Sequence, residues 1–166
     1  IIADLDLPLA QKTADEFSGI GGAPVQAVAL DVADGKAIAR VADLAVETFG
    51  RLDIWVNNAA LYPSVPVFET DDDLWDKVMA VNLRGMFVGA REAAKRMVAA
   101  GASGVILNVA SQAGLRGVAP GLSAYAASKH GVVGATRQMA IELAPHDIRV
   151  LGIAPSHART EKTIEA

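Results

Sequence analysis

The sequence has no cysteine, only 5% aromatic residues and no long apolar run that lacks charges. Without cysteine, the chain has no disulfide framework and no thiolate chemistry. No apolar stretch reaches about 18 uncharged residues, so we expect no membrane-spanning helix. Basic residues are few as well, with 15 Lys and Arg against 19 Asp and Glu and a formal net charge of −4. Nucleic acid binding requires clustered Lys and Arg, and this composition argues against it.

The chain is instead rich in apolar residues: 52% of its 166 residues are hydrophobic and 20% are charged. This balance predicts one globular domain over residues 1–166 with a substantial core. Because Ile1 already lies inside an apolar run, we expect the N-terminus to be cut and the domain to be partial. The cytoplasm is the expected location, with a targeting segment upstream of Ile1 as the open alternative. His130, His146 and His157 lack metal-ligand spacing, so no metal site is predicted.

Short apolar segments alternate with helix-like segments along the chain. Strands are predicted over 1–3, 25–30, 53–56, 105–109 and 149–153. Helices are predicted over 7–17, 35–49, about 72–100 (intact or broken) and 123–144, with a loop over 19–24. The expected N-caps are Asp6, Asp34 and Ser123, and Thr70 with Asp73 suits a capping box. The alternation predicts parallel βαβ units, and therefore an α/β fold with a doubly wound parallel sheet and helices on both faces.

Four of the five predicted strands run directly into polar residues, namely Asp4, Asp31, Asn57–Asn58 and Ser111. Each position alone is explained by the need for polar turn residues, but the carboxyl ends of parallel strands lie along one edge, where ligands bind. The joint pattern therefore favours a nucleotide along that edge.

In this hypothesis, Asp4 accepts hydrogen bonds from a ribose diol, Asp31–Val32 lies beside the base, and Asn57 and Ala59 lie close to the sugar. A carboxylate at position 4 would repel a 2′-phosphate, and the next residue is Leu5 rather than Arg. We therefore expect NAD to be favoured over NADP.

The segment YAASK places Tyr125 and Lys129 four residues apart, one helical turn from each other. A nearby ammonium favours a phenolate over a phenol, so this pair suits proton transfer to or from an alcohol or carbonyl oxygen. Ser111, just beyond the strand over 105–109, could offer a hydroxyl to the same space. A Tyr and a Lys at this spacing are more often a surface pair, and only their placement at a strand edge favours a site.

The chain resembles the short-chain dehydrogenase/reductase family over nearly its whole length. The residues that carry the resemblance are, in order, Asp4, Asp31–Val32, LDIWVNNAA, VNLRG, NVAS, YAASK and IRVLGIAPSHART. The resemblance implies a Rossmann-like doubly wound sheet and assigns roles to the matching residues. Tyr125 would be the acid/base, Lys129 would make the phenol more acidic and hold the nicotinamide ribose, and Ser111 would position the reacting oxygen. Asn82 would hold a water in the proton relay; without the resemblance, this residue would be explained as a helix irregularity. The nicotinamide would contact the segment that contains Pro155, Ala158 and Thr160.

The reaction implied by the resemblance is hydride transfer between the nicotinamide of NAD and the carbinol carbon of a small alcohol or ketone. It also implies a homo-oligomer, a tetramer or a dimer, formed through the helices around 86–98 and 131–143. Two alternatives stay open: a non-catalytic nucleotide-binding protein, and a lyase or epimerase that uses the same Tyr and Lys.

Three departures from the family pattern matter. NNAG has become NNAA at Ala60, Ser156 replaces the Gly that usually follows Pro155, and no Gly-rich pyrophosphate turn is found in the sequence. In this family that turn follows the central strand of the sheet. We therefore expect a truncated fold that lacks the first strand, the Gly-rich turn and the C-terminal end. Such a fragment of a longer enzyme is expected to fold poorly and to bind NAD weakly by itself.

Overall fold

The computed structural model describes residues 1–21 and 23–156. Its strands are β1 (Ile2–Asp4), β2 (Ala27–Ala29), β3 (Ile54–Asn57), β4 (Gly104–Val109) and β5 (Ile148–Ile153). Its α-helices are α1 (Leu7–Gly21), α2 (Gly35–Phe49), α3 (Asp72–Met79), α4 (Met86–Ala99) and α5 (Ser123–Leu143). A π-helical turn (Ala80–Gly85) joins α3 to α4, and two 3₁₀ turns cover Gln112–Gly114 and Ala144–His146. No helix in the described part of the chain is long and apolar enough to cross a membrane.

All five strands are parallel, and they form two sheets. The first sheet consists of β1 and β2, with Ala3 opposite Val28. The second sheet has the order β3-β4-β5, with Ile106 of β4 between Trp55 and Val150. The predicted α/β fold of parallel βαβ units is confirmed.

The main core lies between the second sheet and the helices α4 and α5, which pack against its strands. Ile106, Met97 and Ile148 are almost completely buried there. A smaller cluster around Ile38 forms where α2 packs against α4. Trp55 contacts both clusters, so its indole joins the second sheet to the α2 side of the molecule.

The helix α1 packs against β1 and β2 only, apart from weaker contacts. In the first sheet, the parallel neighbours β1 and β2 are connected by α1, and in the second sheet α4 and α5 pack on the parallel strands. Parallel strands connected by helices form the predicted Rossmann-like α/β architecture.

Local signals fixed the ends of α2, which begins and ends where the sequence predicts. The Asp34 carboxylate accepts from the Lys36 N–H, and Gly50 closes the helix at φ +76°, a conformation that glycine adopts without strain. The predicted cap of α1 is also confirmed, because the Asp6 carboxylate accepts from the Leu9 N–H at 3.0 Å. The helix α1 continues to Gly21, so the predicted start of the loop at residue 19 was wrong, although residues 23–24 lie outside helices and strands as predicted. Glycine weakens a helix but leaves its hydrogen bonds intact.

Two predicted caps were wrong. The N-cap of α3 is Asp71, whose carboxylate accepts from the Leu74 N–H, while the Thr70 hydroxyl donates to the Pro66 carbonyl. A carboxylate is the stronger acceptor at the positive end of a helix, which explains the shift by one residue. Ser123 is the first residue of α5 itself, and the buried Leu122 precedes it without a side-chain cap.

Candidate active site

A cleft of about 1000 Å³ lies between the two sheets, at the side where β1 and β3 each lack a second neighbouring strand among the described residues. Five residues predicted from their positions at strand ends line it together: Asp4, Asp31, Val32, Asn57 and Ala59. The parallel strands bring these residues to one cavity although they span 55 positions of sequence. Ser111, Tyr125 and Lys129 lie outside the walls of this cleft.

The carboxylates of Asp4 and Asp31 have the same local geometry. Each accepts a hydrogen bond from the backbone N–H two residues further on: Asp6 for Asp4, at 2.9 Å, and Ala33 for Asp31, at 2.8 Å. These turns orient the two side chains, which are both exposed. The second oxygen of each carboxylate makes no side-chain hydrogen bond within the described residues, so it is available to a ligand.

The side chain of Asn57 takes part in a hydrogen-bond chain inside the protein. Its carbonyl oxygen accepts from the Trp55 Nε1–H, and its amide donates to Asn108, both at 2.8 Å. The Asn108 amide in turn donates to the Thr136 hydroxyl at 2.9 Å. Gly89 makes room for this chain, because a Cβ atom there would collide with the Asn57 amide. These hydrogen bonds connect β3, β4 and α5. A contact between Asn57 and a cofactor stays a prediction.

Lys129 is 2% exposed, and its Nζ atom donates to the Val109 carbonyl at 2.7 Å. Burial lowers the pKa of Lys129 to about 8, because the low-polarity surroundings disfavour the ammonium. An ammonium has three donors. The one described bond leaves donors for another acceptor at the end of β4.

Ser111 lies two residues beyond Val109, at the start of the Gln112–Gly114 turn. Its hydroxyl oxygen accepts from the Ala113 N–H at 3.1 Å, and the hydroxyl proton is left to donate elsewhere. The turn packs directly on α5, because a Cβ atom on Gly114 would lie 2.5 Å from the Lys129 carbonyl oxygen. The Gln112–Gly114 turn therefore begins directly after Ser111 and packs against the backbone of Lys129.

Asn82 lies in the π-helical turn, so the helix irregularity that would otherwise explain this residue is present, while its role in a proton relay stays a prediction. Its carbonyl oxygen accepts from the Leu61 N–H at 2.7 Å, and its amide donates to the Leu61 carbonyl at 2.9 Å. The same amide donates to the Ser128 hydroxyl at 3.0 Å, and that hydroxyl donates to the Tyr125 carbonyl at 2.7 Å. Asn82 is 1% exposed, so these bonds are shielded from water. Isolated π-helical turns often occur at functional sites.

The ring of Tyr125 has two neighbouring groups. The Lys129 Nζ atom is 5.7 Å from the ring centroid, and the ring of Tyr62 meets it edge to face with 4.6 Å between centroids. The predicted pairing of Tyr125 with an ammonium one turn away is therefore found in the structure. Tyr62 was not predicted as a site residue; the signal for it is an aromatic residue in the Pro-containing loop that follows a strand end.

The last predicted cofactor residues fall at the end of the described chain. The Pro155 carbonyl accepts from the Gln112 N–H at 3.0 Å, which ties the segment after β5 to the turn that follows Ser111. Ala158 and Thr160 lie outside the described residues. Their role stays a prediction.

Two comparisons with known proteins identify the family. The family model described as short chain dehydrogenase matches residues 1–166. The chain is 40% identical to trans-4-hydroxycyclohexanecarboxylate dehydrogenase of Sinomonas cyclohexanicum, over 98% of this chain and 64% of that protein. It is 38% identical to sorbitol dehydrogenase of Cereibacter sphaeroides, over 93% of this chain and 58% of that protein.

The fold comparison agrees. The crystal structure of a short chain dehydrogenase from Mycobacterium smegmatis superimposes with a TM-score of 0.89 at 34% identity, over 95% of this chain and 65% of that one. The chain thus spans about 58–65% of the length of these three relatives. The site geometry, the sequence similarity and the shared fold agree that the chain belongs to the short-chain dehydrogenase family.

Proposed function

We propose that the protein containing this chain is an NAD(H)-dependent oxidoreductase that interconverts a secondary alcohol and a ketone. The observation that supports this most strongly is the grouping of a buried ammonium, a phenol ring and a serine turn at the end of β4. Surface Tyr and Lys pairs leave the Lys exposed, whereas Lys129 is buried. Burying a charge costs free energy because the charge loses its hydration. Ionisable groups with a shifted pKa cluster at functional sites, which favours a functional role for Lys129.

The residues divide the work of proton transfer. The Tyr125 hydroxyl gives a proton to the carbonyl oxygen in reduction and takes it from the alcohol in oxidation. Lys129, as an ammonium, stabilises the phenolate form electrostatically and can bind a ribose hydroxyl with its remaining donors. The Ser111 hydroxyl donates to the reacting oxygen and fixes its position. Asn82 holds the loop and helix around the site and, as a proposed role, a relay water. The nicotinamide, when bound, accepts or supplies the hydride.

The polar residues at the strand ends fit a nucleotide. Among the residues that line the cleft, Asp4 supplies a carboxylate for a ribose diol. Ala59 and Ala60 line the cavity with small side chains, so a ligand can approach the backbone closely there. We propose NAD rather than NADP, because the exposed Asp4 carboxylate would repel a 2′-phosphate.

The experiment uses the full natural polypeptide that contains these residues. We expect nicotinamide absorbance to change with NAD and members of a panel of secondary alcohols, and with NADH and ketones. Tyr125→Phe should lower kcat about 100-fold or more while the Kd for NAD changes less than about threefold. Phe68→Leu is the control, since it changes an aromatic ring that is fully exposed. NAD binding without turnover of any substrate would contradict the proposal and favour a binding protein or a non-redox enzyme.

Cofactor choice has its own test. Asp4→Asn keeps the size of the side chain and removes its charge, and we expect the preference of kcat/KM for NAD over NADP to fall about tenfold or more. Asp15→Asn, an exposed carboxylate on α1, is the control and should leave the preference unchanged. An unchanged preference in Asp4→Asn would contradict the role of Asp4.

We also propose a homo-oligomer, a dimer or a tetramer, formed through α4 and α5. Large apolar side chains are exposed on both helices: Phe87 and Val98 on α4, and Ile141, 70% exposed, on α5. Light scattering of the full polypeptide should give a multiple of the monomer mass, and Ile141→Asp should lower it. A monomer at all concentrations would contradict this proposal.

A further inference from the structure

The segment that follows Ala60 is tied to the rest of the protein at several points. Asn82 makes two hydrogen bonds to the backbone of Leu61, and the Val65 N–H donates to the Gly121 carbonyl at 2.9 Å. Gly121 has φ +79°, and a Cβ atom there would lie 2.9 Å from the Ser64 hydroxyl. Residues 61–65 are therefore a fixed loop, although many of their side chains face solvent.

The side chain of Tyr62 lies on this fixed loop directly beside Tyr125. The two rings meet at 87°, with 4.6 Å between centroids. This edge-to-face geometry is the one that aromatic quadrupoles prefer. The loop and the helix that carry the two rings share one anchor, because Asn82 binds both the Leu61 backbone and the Ser128 hydroxyl. The relative position of the rings is thus set by buried bonds.

Tyr62 contributes little to the fold. Its side chain is 64% exposed, and its hydroxyl makes no side-chain hydrogen bond to the other described residues. A large apolar ring that is mostly exposed but fixed against one phenol has the properties of a binding-site wall. The Lys129 Nζ atom also lies over the Tyr125 ring, 5.7 Å from its centroid. The Tyr62 ring is therefore one of two groups that restrict the movement of the Tyr125 ring.

We propose that Tyr62 is a positioning residue that holds the Tyr125 ring in its reactive orientation and forms the adjacent wall of the substrate site. This inference rests on the proposed oxidoreductase function. The contribution of Tyr62 comes from its aromatic ring and not from its hydroxyl. Since proton transfer depends steeply on geometry, loosening the phenol lowers kcat more than it weakens binding.

The test compares Tyr62→Phe, which keeps the ring, with Tyr62→Leu, which removes it, in the full natural polypeptide. Tyr62→Phe should keep kcat within about twofold, whereas Tyr62→Leu should lower kcat about tenfold, with KM rising less and the Kd for NAD unchanged. Phe68→Leu is the matched control, because the Phe68 ring is fully exposed. This variant should behave like wild type.

A second readout does not depend on activity. Packing of two rings at this distance produces ring-current shifts of the Tyr125 ring protons, which NMR of tyrosine-labelled protein detects. We expect Tyr62→Phe to retain these shifts and Tyr62→Leu to lose them while the melting temperature stays within a few degrees.

The outcomes separate the two proposals. Wild-type turnover with unchanged kcat and unchanged Tyr125 shifts in Tyr62→Leu would overturn the role of Tyr62 and leave the oxidoreductase function intact. Equal losses in Tyr62→Leu and Phe68→Leu would also overturn it. A wild-type protein without turnover would overturn the proposed function, and with it the positioning role.

Discussion

The two sheets of the molecule differ sharply in how well they are buried. In the second sheet, β4 lies between two strands and Ile106 is completely buried. In the first sheet, β1 and β2 have three residues each, and Asp4 and Ala29 are exposed. The proposed proton-transfer groups lie on the second sheet and its helices, and the Asp4 carboxylate, proposed to select the cofactor, lies on the first. In the proposed function, the chemistry would therefore depend on the part with the buried β4, and cofactor choice on the more open part.

The two parts are joined by the packing of α2 on α4 and by polar contacts. The Arg96 guanidinium on α4 binds the Asp43 carboxylate on α2 through two hydrogen bonds at 2.9 Å. The Arg84 guanidinium donates to the Ala33 carbonyl. Because the first sheet is smaller and more exposed, we expect the two parts to differ in local stability.

Hydrogen exchange should reveal the largest difference. The Ile2 amide of the first sheet is bonded to the Gln26 carbonyl, but Ile2 is only half-buried and Ala3 and Asp4 beside it are exposed. We expect the Ile2 amide to exchange about 100-fold or more faster than the Ile106 amide, because local opening of a thin sheet costs less free energy. Equal protection would show that the two sheets open as a single unit.

The second sheet should be sensitive to one added methyl group. In Gly89→Ala, the new Cβ atom collides with the Asn57 amide and the Trp55 indole nitrogen. We expect unfolding free energy to fall by about 2 kcal/mol, because a buried hydrogen-bond chain must shift. Denaturant titration measures the change.

A matched glycine provides the control. Gly134 on α5 has open space where a Cβ atom would lie, so Gly134→Ala should stabilise the protein by about 0.5–1 kcal/mol through helix propensity. If both variants had the same effect, steric crowding at Gly89 would not be the cause.

The junction between the parts should respond to acid. Burial by itself would raise the pKa of Glu92, but hydrogen bonds from Lys95, Arg96 and Arg91 outweigh burial and lower the pKa to about 2. A carboxyl with a lowered pKa stabilises the fold above its ordinary value of 4.5, and this contribution is lost as the pH falls towards 2. Glu92→Gln should therefore cost about 1–3 kcal/mol at pH near 7 and progressively less in acid.

Melting temperatures of wild type and Glu92→Gln between neutral pH and about pH 3 test this expectation. Glu142→Gln, an exposed carboxylate on α5, is the control and should change stability little at any pH. A constant difference between Glu92→Gln and wild type across this range would contradict the role of the Glu92 charge.

The last expected effect is a gain in stability at the proposed site. Burial lowers the pKa of Lys129 to about 8, so the folded state binds the proton less tightly than the unfolded chain. Wild-type stability should then rise with pH between about 8 and the ordinary lysine value of 10.5. Lys129→Met should abolish turnover, yet raise stability at neutral pH by about 1–2 kcal/mol and remove that rise. A destabilised Lys129→Met variant would show that the ammonium supports the fold.

Sequence reasoning succeeded where the signal was local. The ends of α2 were predicted correctly because Asp34 and Gly50 determine them within one turn of helix. The cap of α3 was misplaced by one residue because the Thr70 hydroxyl binds a carbonyl in the preceding loop. The partners of Asn57 and the contact of Tyr62 with Tyr125 were not predicted, because these residues are far apart in the sequence.

The sequence by itself determined the alternation of strands and helices, the parallel sheet, the residues at strand ends and the one-turn spacing of Tyr125 and Lys129. These features follow from hydrophobic periodicity and from the fixed geometry of a helix. Only the tertiary structure decided that Lys129 is buried against the Val109 carbonyl, that Asn82 joins the Leu61 loop to α5, and that Tyr62 packs on Tyr125. Such contacts depend on how separate elements approach one another in space, and no short segment of sequence encodes that approach.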